Sequence, residues 1–183
     1  MPTPPLKALI VDDEPLAVER MQTLCADLAD VTLVGTASDG SAALQLVDSL
    51  SPDLILLDIS MPDVDGMAVA RHIARNWAHE NGLPPAIIFV TAFDGFAVEA
   101  FDLSAVDYLL KPVAAERLAR AIDRVRARRA GYAAPNTRPS PYVSEFWVPN
   151  RNEMVRVAVS DIDRIDAERD YVRLHCAGRS FLL

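Results

Sequence analysis

Cysteine is scarce in this chain. Its 183 residues contain two, Cys25 and Cys176. They lie far apart and match no metal-ligand spacing, which argues against a cysteine-based metal site, and they read as buried thiols in a reducing compartment. No run of about 18 apolar residues occurs, so nothing in the sequence is long enough to span a bilayer. The N-terminus, MPTPPLK, lacks the apolar stretch of a secretion signal. Positive charge is in deficit: the net charge is −8, which excludes a general binder of polyanions. These absences together lead us to expect a cytoplasmic protein with no membrane contact.

What is present is apolar and ordered. Hydrophobic residues make up 51% of the chain, enough for a real core, and the length suits one full domain plus a smaller piece. The stretch that organises the rest runs from Asp53 to Gly66, DLILLDISMPDVDG. Leu54 to Leu57 is an unbroken apolar run, the pattern of a strand buried on both faces as in a parallel sheet. Asp58 ends it. A carboxylate at the C-terminal end of such a strand stands where open α/β sheets place their ligands. Met61-Pro62 stops the strand, and Asp65-Gly66 turns the chain into the next helix.

Around this stretch the chain alternates strands and helices. Strands are predicted at 6–11, 31–37, 54–57, 87–90 and 106–110. Helices are predicted after Pro15, at 40–50, at 65–80, at 96–102 and at 113–129. Pro15 suits the first turn of its helix, where a missing N–H costs nothing. Five strands alternating with five helices predict a doubly wound parallel sheet with right-handed crossovers. Met21 and Met67 fall on core faces. Arg124, Arg126, Arg128 and Arg129 read as a solvated helix end favoured by the macrodipole. The domain is expected to span 1–130. Residues 131–142, rich in proline and polar residues, read as a linker. From 143 to 183 short strands separated by turns predict an all-β unit. About 40 residues is too few for an independent core without disulfides or metal, so the chain is expected to end inside this second unit.

The chemistry gathers at the strand ends. The first strand ends in Asp12 and Asp13, the third in Asp58, the fourth in Thr91 and the fifth in Lys111, and a parallel sheet puts these ends on one rim. Three carboxylates there repel one another unless a cation neutralises them. Their hard oxygens favour Mg²⁺, which commonly pairs with phosphate oxygens. A carboxylate can attack phosphorus to form an aspartyl-phosphate. Asp58 is the candidate nucleophile, Asp12 and Asp13 the metal site, Thr91 a hydroxyl donor and Lys111 the counter-charge for the transferred group. Singly, each residue has an ordinary reading: Asp12-Asp13 as helix caps, Asp58 as a turn residue, Thr91 as a rim hydroxyl, Lys111 as a solvated base. Their coincidence at successive strand ends favours the chemical reading.

The pieces VDDE at 11–14, LLDISMPDVDG at 56–66, VTA at 90–92 and DYLLKP at 107–112 resemble, in this order, the receiver domain of two-component response regulators. The resemblance covers roughly residues 6–130. It implies a flavodoxin-like sheet of order 2-1-3-4-5 and phosphorylation of Asp58 by a partner sensor histidine kinase. Mg²⁺ would be held by Asp13, Asp58 and the backbone carbonyl of Ser60, with Asp12 acting through water. The Lys111-Pro112 bond would be cis. As the switch, Thr91 would shift toward the phosphoryl group and Tyr108 would turn inward. That would remodel the face made by the helix at 96–102, the strand at 106–110 and the helix at 113–129, a face that often carries a phosphorylation-favoured homodimer. Ser60 and Phe93 occupy positions that govern access of water to the phosphoryl group, and the bulk of Phe93 predicts a fairly long-lived aspartyl-phosphate.

The tail VRVAVSDIDRIDAERDYVRLHCAGRSFLL is similar to the first strands of a LytTR DNA-binding domain, covering about 40% of that module. The turn at 167–171 corresponds to one that can approach DNA, with Arg169 as the candidate contact. The tail itself is not basic, holding 6 Lys+Arg against 7 Asp+Glu from 143 to 183, whereas a DNA reader normally shows a basic footprint. Two functions are therefore expected to compete: a phosphorylation-switched transcription regulator that binds DNA through a complete second domain, and a signal carrier or phosphate sink acting by protein contact. An enzyme of this sheet type is set aside. An aspartate-dependent phosphohydrolase wants a second acid where Ser60 stands, and a dinucleotide enzyme wants glycines where Asp12-Asp13-Glu14 stand.

Overall fold

The computed structural model describes residues 4–77, 83–93, 103, 105–133, 145–150, 153–168, 171–176 and 178–182. Strands β1 (Leu6–Val11), β2 (Val31–Ala37), β3 (Leu54–Leu57), β4 (Ala86–Thr91) and β5 (Asp107–Leu110) form one sheet of order β2-β1-β3-β4-β5. Every neighbouring pair is parallel. The expected flavodoxin-like, doubly wound sheet is therefore present. Helices α1 (Pro15–Ala26), α2 (Gly40–Leu50), α3 (Gly66–Asn76) and α4 (Ala115–Ala133) supply the crossovers and flanks. The short helix expected at 96–102 lies outside the described residues.

The central strands read as unbroken apolar runs because both sheet faces are covered. Leu9, Val11, Ile55, Leu57 and Phe89 pack on one side with Ala43 and Val47 of α2 and Met67, Val69 and Ile73 of α3. Ala8, Ile10, Leu54, Leu56, Ile88 and Val90 pack on the other with Met21 and Cys25 of α1 and Leu118, Ile122 and Val125 of α4. All four side chains of β3 are fully buried. Each such aliphatic group contributes about 1.5–3 kcal/mol, so β3 anchors whatever follows it. Asp39 and Asp65 cap α2 and α3 by accepting from Ala42 N (2.8 Å) and Ala68 N (2.6 Å).

Helix α4 departs from the sequence reading in two respects. It continues through Gly131 to Ala133, beyond the expected boundary at 130. Glycine inside a helix costs only about 1 kcal/mol against alanine, which neighbouring helix formers can absorb. Nor are its arginines simply solvated. Arg124 pairs with Asp107, Arg126 donates to the Asp30 carbonyl at 2.7 Å, and Arg129 pairs with Asp53. The last two tie the helix to the sheet's N-terminal edge.

The tail is all-β. Strands β6 (Glu145–Asn150) and β7 (Glu153–Ala158) form an antiparallel hairpin. Strands β8 (Arg164–Glu168), β9 (Tyr171–Cys176) and β10 (Arg179–Leu182) form an antiparallel sheet of order β10-β9-β8. Val148, Val157, Leu174, Cys176 and Phe181 make its small core. Arg169 lies outside the described residues. Both cysteines are free and buried. Among the described residues, no helix is long and apolar enough to cross a membrane.

One close approach links this framework to the rim. A Cβ added at Gly66 would stand 2.0 Å from the Asp58 carbonyl oxygen, so α3 can start here only without a side chain. Gly66→Ala must push the loop and helix apart. It is expected to lower unfolding free energy by about 1–3 kcal/mol in urea titration, with a parallel loss of any activity that depends on Asp58.

Candidate functional site

The rim is built by extending the strand ladder one residue past each strand. Asp12 N donates to Ala37 O (3.0 Å), Asp58 N to Val11 O (2.8 Å) and Lys111 N to Thr91 O (2.8 Å). The backbones of three predicted site residues are thereby fixed by the sheet itself. Asp58 is almost wholly buried, and so is Asp12. Thr91 is fully buried at the end of β4, while Asp13 is exposed.

The side chains converge as their order at the strand ends requires. Lys111 Nζ stands 2.7 Å from Asp12 Oδ2 and 3.0 Å from Asp58 Oδ2. Glu14 Oε2 is 3.9 Å from the same ammonium, a neighbour for which the sequence reading assigned no role. Carboxylate oxygens of Asp12, Asp13 and Asp58 lie within 4.8 Å of one another. Such a set of hard oxygen donors suits a hard divalent cation. The Lys111-Pro112 bond that follows is cis.

Asp58 is oriented on one side and available on the other. Its Oδ1 accepts from Ile59 N at 2.7 Å and from Ser60 N at 3.3 Å. Its Oδ2 faces the Lys111 ammonium. Asp12 does not act as a helix cap. The N-cap of α1 is Glu14, which makes no side-chain capping bond, and Asp12 Oδ1 instead accepts from Glu14 N at 3.0 Å. This turn aims Oδ2 at the lysine.

Burial raises the Asp12 pKa, and the hydrogen bonds from Lys111 and Glu14 only partly offset it. Burial acts to lower the Lys111 pKa, but hydrogen bonds and charges from Asp12 and Asp58 together raise it. The lysine therefore favours the folded state below its usual value near 10.5, and that contribution is lost as pH rises through its folded pKa. For Asp12 the raised pKa works the other way: ionising it in the folded protein is a cost that appears above pH 3.8.

Tyr108 is expected to turn inward when the switch operates. It is already inward, 1% exposed, with its hydroxyl donating to Phe93 O at 2.5 Å. Its ring lies 6.3 Å from that of Phe89. A buried tyrosine keeps its body in apolar packing while its hydroxyl finds a carbonyl, and the loop after β4 supplies one. Thr91 Oγ accepts a long bond from Phe93 N, 3.4 Å. Phe93 itself is half-exposed at the rim. Asp107, part of the DYLLKP piece but assigned no role, is fully buried against Arg117 and Arg124. A buried carboxylate needs such partners, but sequence spacing does not reveal them.

Residues 8–123 match the family profile described as the response regulator receiver domain. The positive alginate biosynthesis regulatory protein of Pseudomonas aeruginosa is 41% identical over 184 aligned positions, which cover 97% of this chain and 72% of that protein. The transcriptional regulatory protein BtsR of Escherichia coli is 38% identical over 125 positions, covering 68% of this chain and 50% of BtsR. Among solved structures, the response regulatory domain of protein mrkE from Klebsiella pneumoniae superposes with a TM-score of 0.62 at 34% identity. It covers 69% of this chain and 99% of that one.

The crowded carboxylates make a testable energetic statement. Asp12→Asn keeps the oxygen that accepts from Glu14 N but removes one buried charge. Without divalent cations at pH 7 it is expected to raise unfolding free energy by roughly 1 kcal/mol, a gain that vanishes as pH falls below about 4. Added Mg²⁺ should stabilise the wild type more than the variant. Urea titrations at two pH values, with and without Mg²⁺, check both signs.

Proposed function

Because the chain belongs to the response regulator receiver family, we propose that Asp58 accepts a phosphoryl group from a sensor histidine kinase and that the resulting state controls transcription through the all-β tail. The observation that carries this reading is the Lys111 ammonium joining Asp12 Oδ2 and Asp58 Oδ2 beside a third carboxylate. Asp58 Oδ2 attacks phosphorus, an O–P bond forms, and the N–P bond to the donor imidazole breaks as that ring leaves carrying a proton. Lys111 then pairs with a phosphoryl oxygen, and Thr91 donates its hydroxyl proton to another. Asp12, Asp13, Asp58 and the Ser60 carbonyl would hold Mg²⁺, which when bound supplies positive charge for the transferred group. The protein is a switch and not a metabolic catalyst.

The all-β character of the tail, with the resemblance of residues 155–183 to the first LytTR strands, supports a LytTR-type output, with Arg169 as a DNA contact. The relatives described as regulatory proteins support a transcriptional role. Thr91 and Tyr108 are the switch residues. Since Tyr108 already sits inward with its hydroxyl on Phe93 O, the switch works by displacement of the Thr91–Phe93 loop and not by a swing of the ring from solvent. A phosphorylation-favoured homodimer fits the same reading. The second reading, a signal carrier acting through protein contacts, is favoured by the tail's charge balance of 6 Lys+Arg against 7 Asp+Glu.

Two measurements test this. Asp58→Ala is expected to abolish phosphate incorporation from acetyl phosphate in the presence of Mg²⁺, and undiminished labelling would sink the assignment. Phe93→Ala is expected to shorten the lifetime of the phosphorylated state several-fold, on the order of 1 kcal/mol in the hydrolysis barrier. A release time course identical to wild type would show that Phe93 does not screen the phosphoryl group from water.

A further inference from the structure

Glu14 is a fourth carboxylate at the rim. It is the N-cap of α1, yet its side chain makes no capping hydrogen bond. Its backbone is held instead. The Glu14 N–H donates to Asp12 Oδ1 at 3.0 Å, and its carbonyl accepts from Ala17 N and Val18 N at 3.0 and 3.1 Å. Pro15 disfavours the helical conformation in the residue before it, and Glu14 is extended, at φ −94° and ψ 109°. The residue is thus anchored on a firm turn, while its side chain stays 61% exposed.

The carboxylate faces the lysine of the site. Glu14 Oε2 lies 3.9 Å from Lys111 Nζ. That is too long for a hydrogen bond, and the ammonium already meets Asp12 and Asp58 at 2.7 and 3.0 Å. An exposed pair at such a distance contributes little to stability. What remains is its field. In the receiver reading Lys111 meets an oxygen of the incoming phosphoryl group. An oxygen bonded to that ammonium lies within about 7 Å of the Glu14 carboxylate. This is inside the screening length of about 8 Å at physiological ionic strength. Asp12, Asp13 and Asp58 also repel an incoming anion, but a cation held among them would offset their charge. Glu14 lies outside that set.

We propose that Glu14 sets the phosphodonor preference of this site. Its carboxylate holds off free dianionic donors, the acyl phosphates, more than donors in which a protonated nitrogen offsets one phosphoryl charge. This rests on the receiver reading above. The transfer is the same with either class: Asp58 Oδ2 forms the new O–P bond. With acetyl phosphate the P–O bond breaks and acetate leaves with the electron pair. With phosphoramidate the P–N bond breaks and ammonia leaves with it. Glu14 exchanges no proton or electron pair in either case and acts only on the approach of the charged donor.

Initial rates of labelling on the full chain test this, at pH 7, low ionic strength and Mg²⁺ saturating for each variant. The donors are acetyl phosphate, a dianion, and phosphoramidate, a monoanion. Glu14→Gln, which keeps the size and the backbone turn, is expected to raise the acetyl phosphate rate about threefold and the phosphoramidate rate less than about twofold. Glu14→Asp, which keeps the charge, should keep the wild-type ratio between the donors. An ionic strength of about 1 M shortens the screening length to about 3 Å and should erase the gain of Glu14→Gln. Equal gains with both donors, or a gain that survives high salt, overturn the proposal, because a rearranged site and not charge would then be responsible. Unchanged rates in Glu14→Gln overturn it as well. In each of these outcomes labelling has occurred, so the receiver reading stands. Absence of labelling of the wild type by either donor overturns that reading and the Glu14 proposal together.

Discussion

One ammonium between two buried carboxylates governs this molecule. Asp12 and Asp58 are nearly inaccessible to water, and a buried charge is tolerated only when paired and hydrogen-bonded. Lys111 meets that need for both at 2.7 and 3.0 Å. It cannot neutralise the whole set, because Asp13 and Glu14 stand beside it on the same turn. The site is therefore an excess of negative charge held together by one positive charge. Such an arrangement is a poor stabiliser of the fold and a good receptor for anything that brings more positive charge or rearranges the negative. Burial raises the Asp12 pKa, while Asp12 and Asp58 together raise that of Lys111 against its own burial.

The sheet makes that crowding possible. A carboxylate cluster of this kind would spread apart on a loop. Here each backbone is locked by a ladder bond that runs one residue beyond its strand, and β3 beneath Asp58 is fully buried on both faces. The close approach of Gly66 to the Asp58 carbonyl fixes the far side of the same loop. Rigidity of the scaffold is thus the condition for electrostatic strain at the rim. Repulsion between carboxylates held in this way cannot be relieved by moving them; a bound cation would relieve it.

The features legible in the sequence were those set by local pattern. The strands at 6–11, 31–37 and 54–57 could be bounded because apolar runs ended at charged or turn residues. The acidic and lysine residues of the rim followed from their order at strand ends, since parallel topology sends all those ends to one side. What escaped depended on partners distant in sequence. Arg126 and Arg129 looked like a solvated helix end, but their partners Asp30 and Asp53 lie 96 and 76 residues away. Gly131 was read as the first residue of a linker, but α4 runs past it to Ala133. Tyr108 looked like a residue waiting to turn inward, and nothing in the sequence shows that the Phe93 carbonyl already holds it. Asp107 sat inside a quoted motif without a role, because burial against two arginines is a property of packing and not of spacing.

Two of these omissions, Asp107 and Tyr108, meet on one strand. Within four residues β5 carries Asp107 at its start and Tyr108 next to it, and Lys111 follows immediately after its end. A four-residue strand spans about 13 Å, short enough to move as a unit. Its ends therefore cannot respond independently: what reorganises around the Lys111 ammonium is felt at Asp107, which Arg117 and Arg124 hold at the other end. A longer or centrally placed strand would dissipate such a displacement into neighbouring ladder bonds on both sides. An edge strand bonded on one side has half that restraint. This short edge strand, bonded on one side only, leads directly into the lysine of the site and lies against β7 of the second unit.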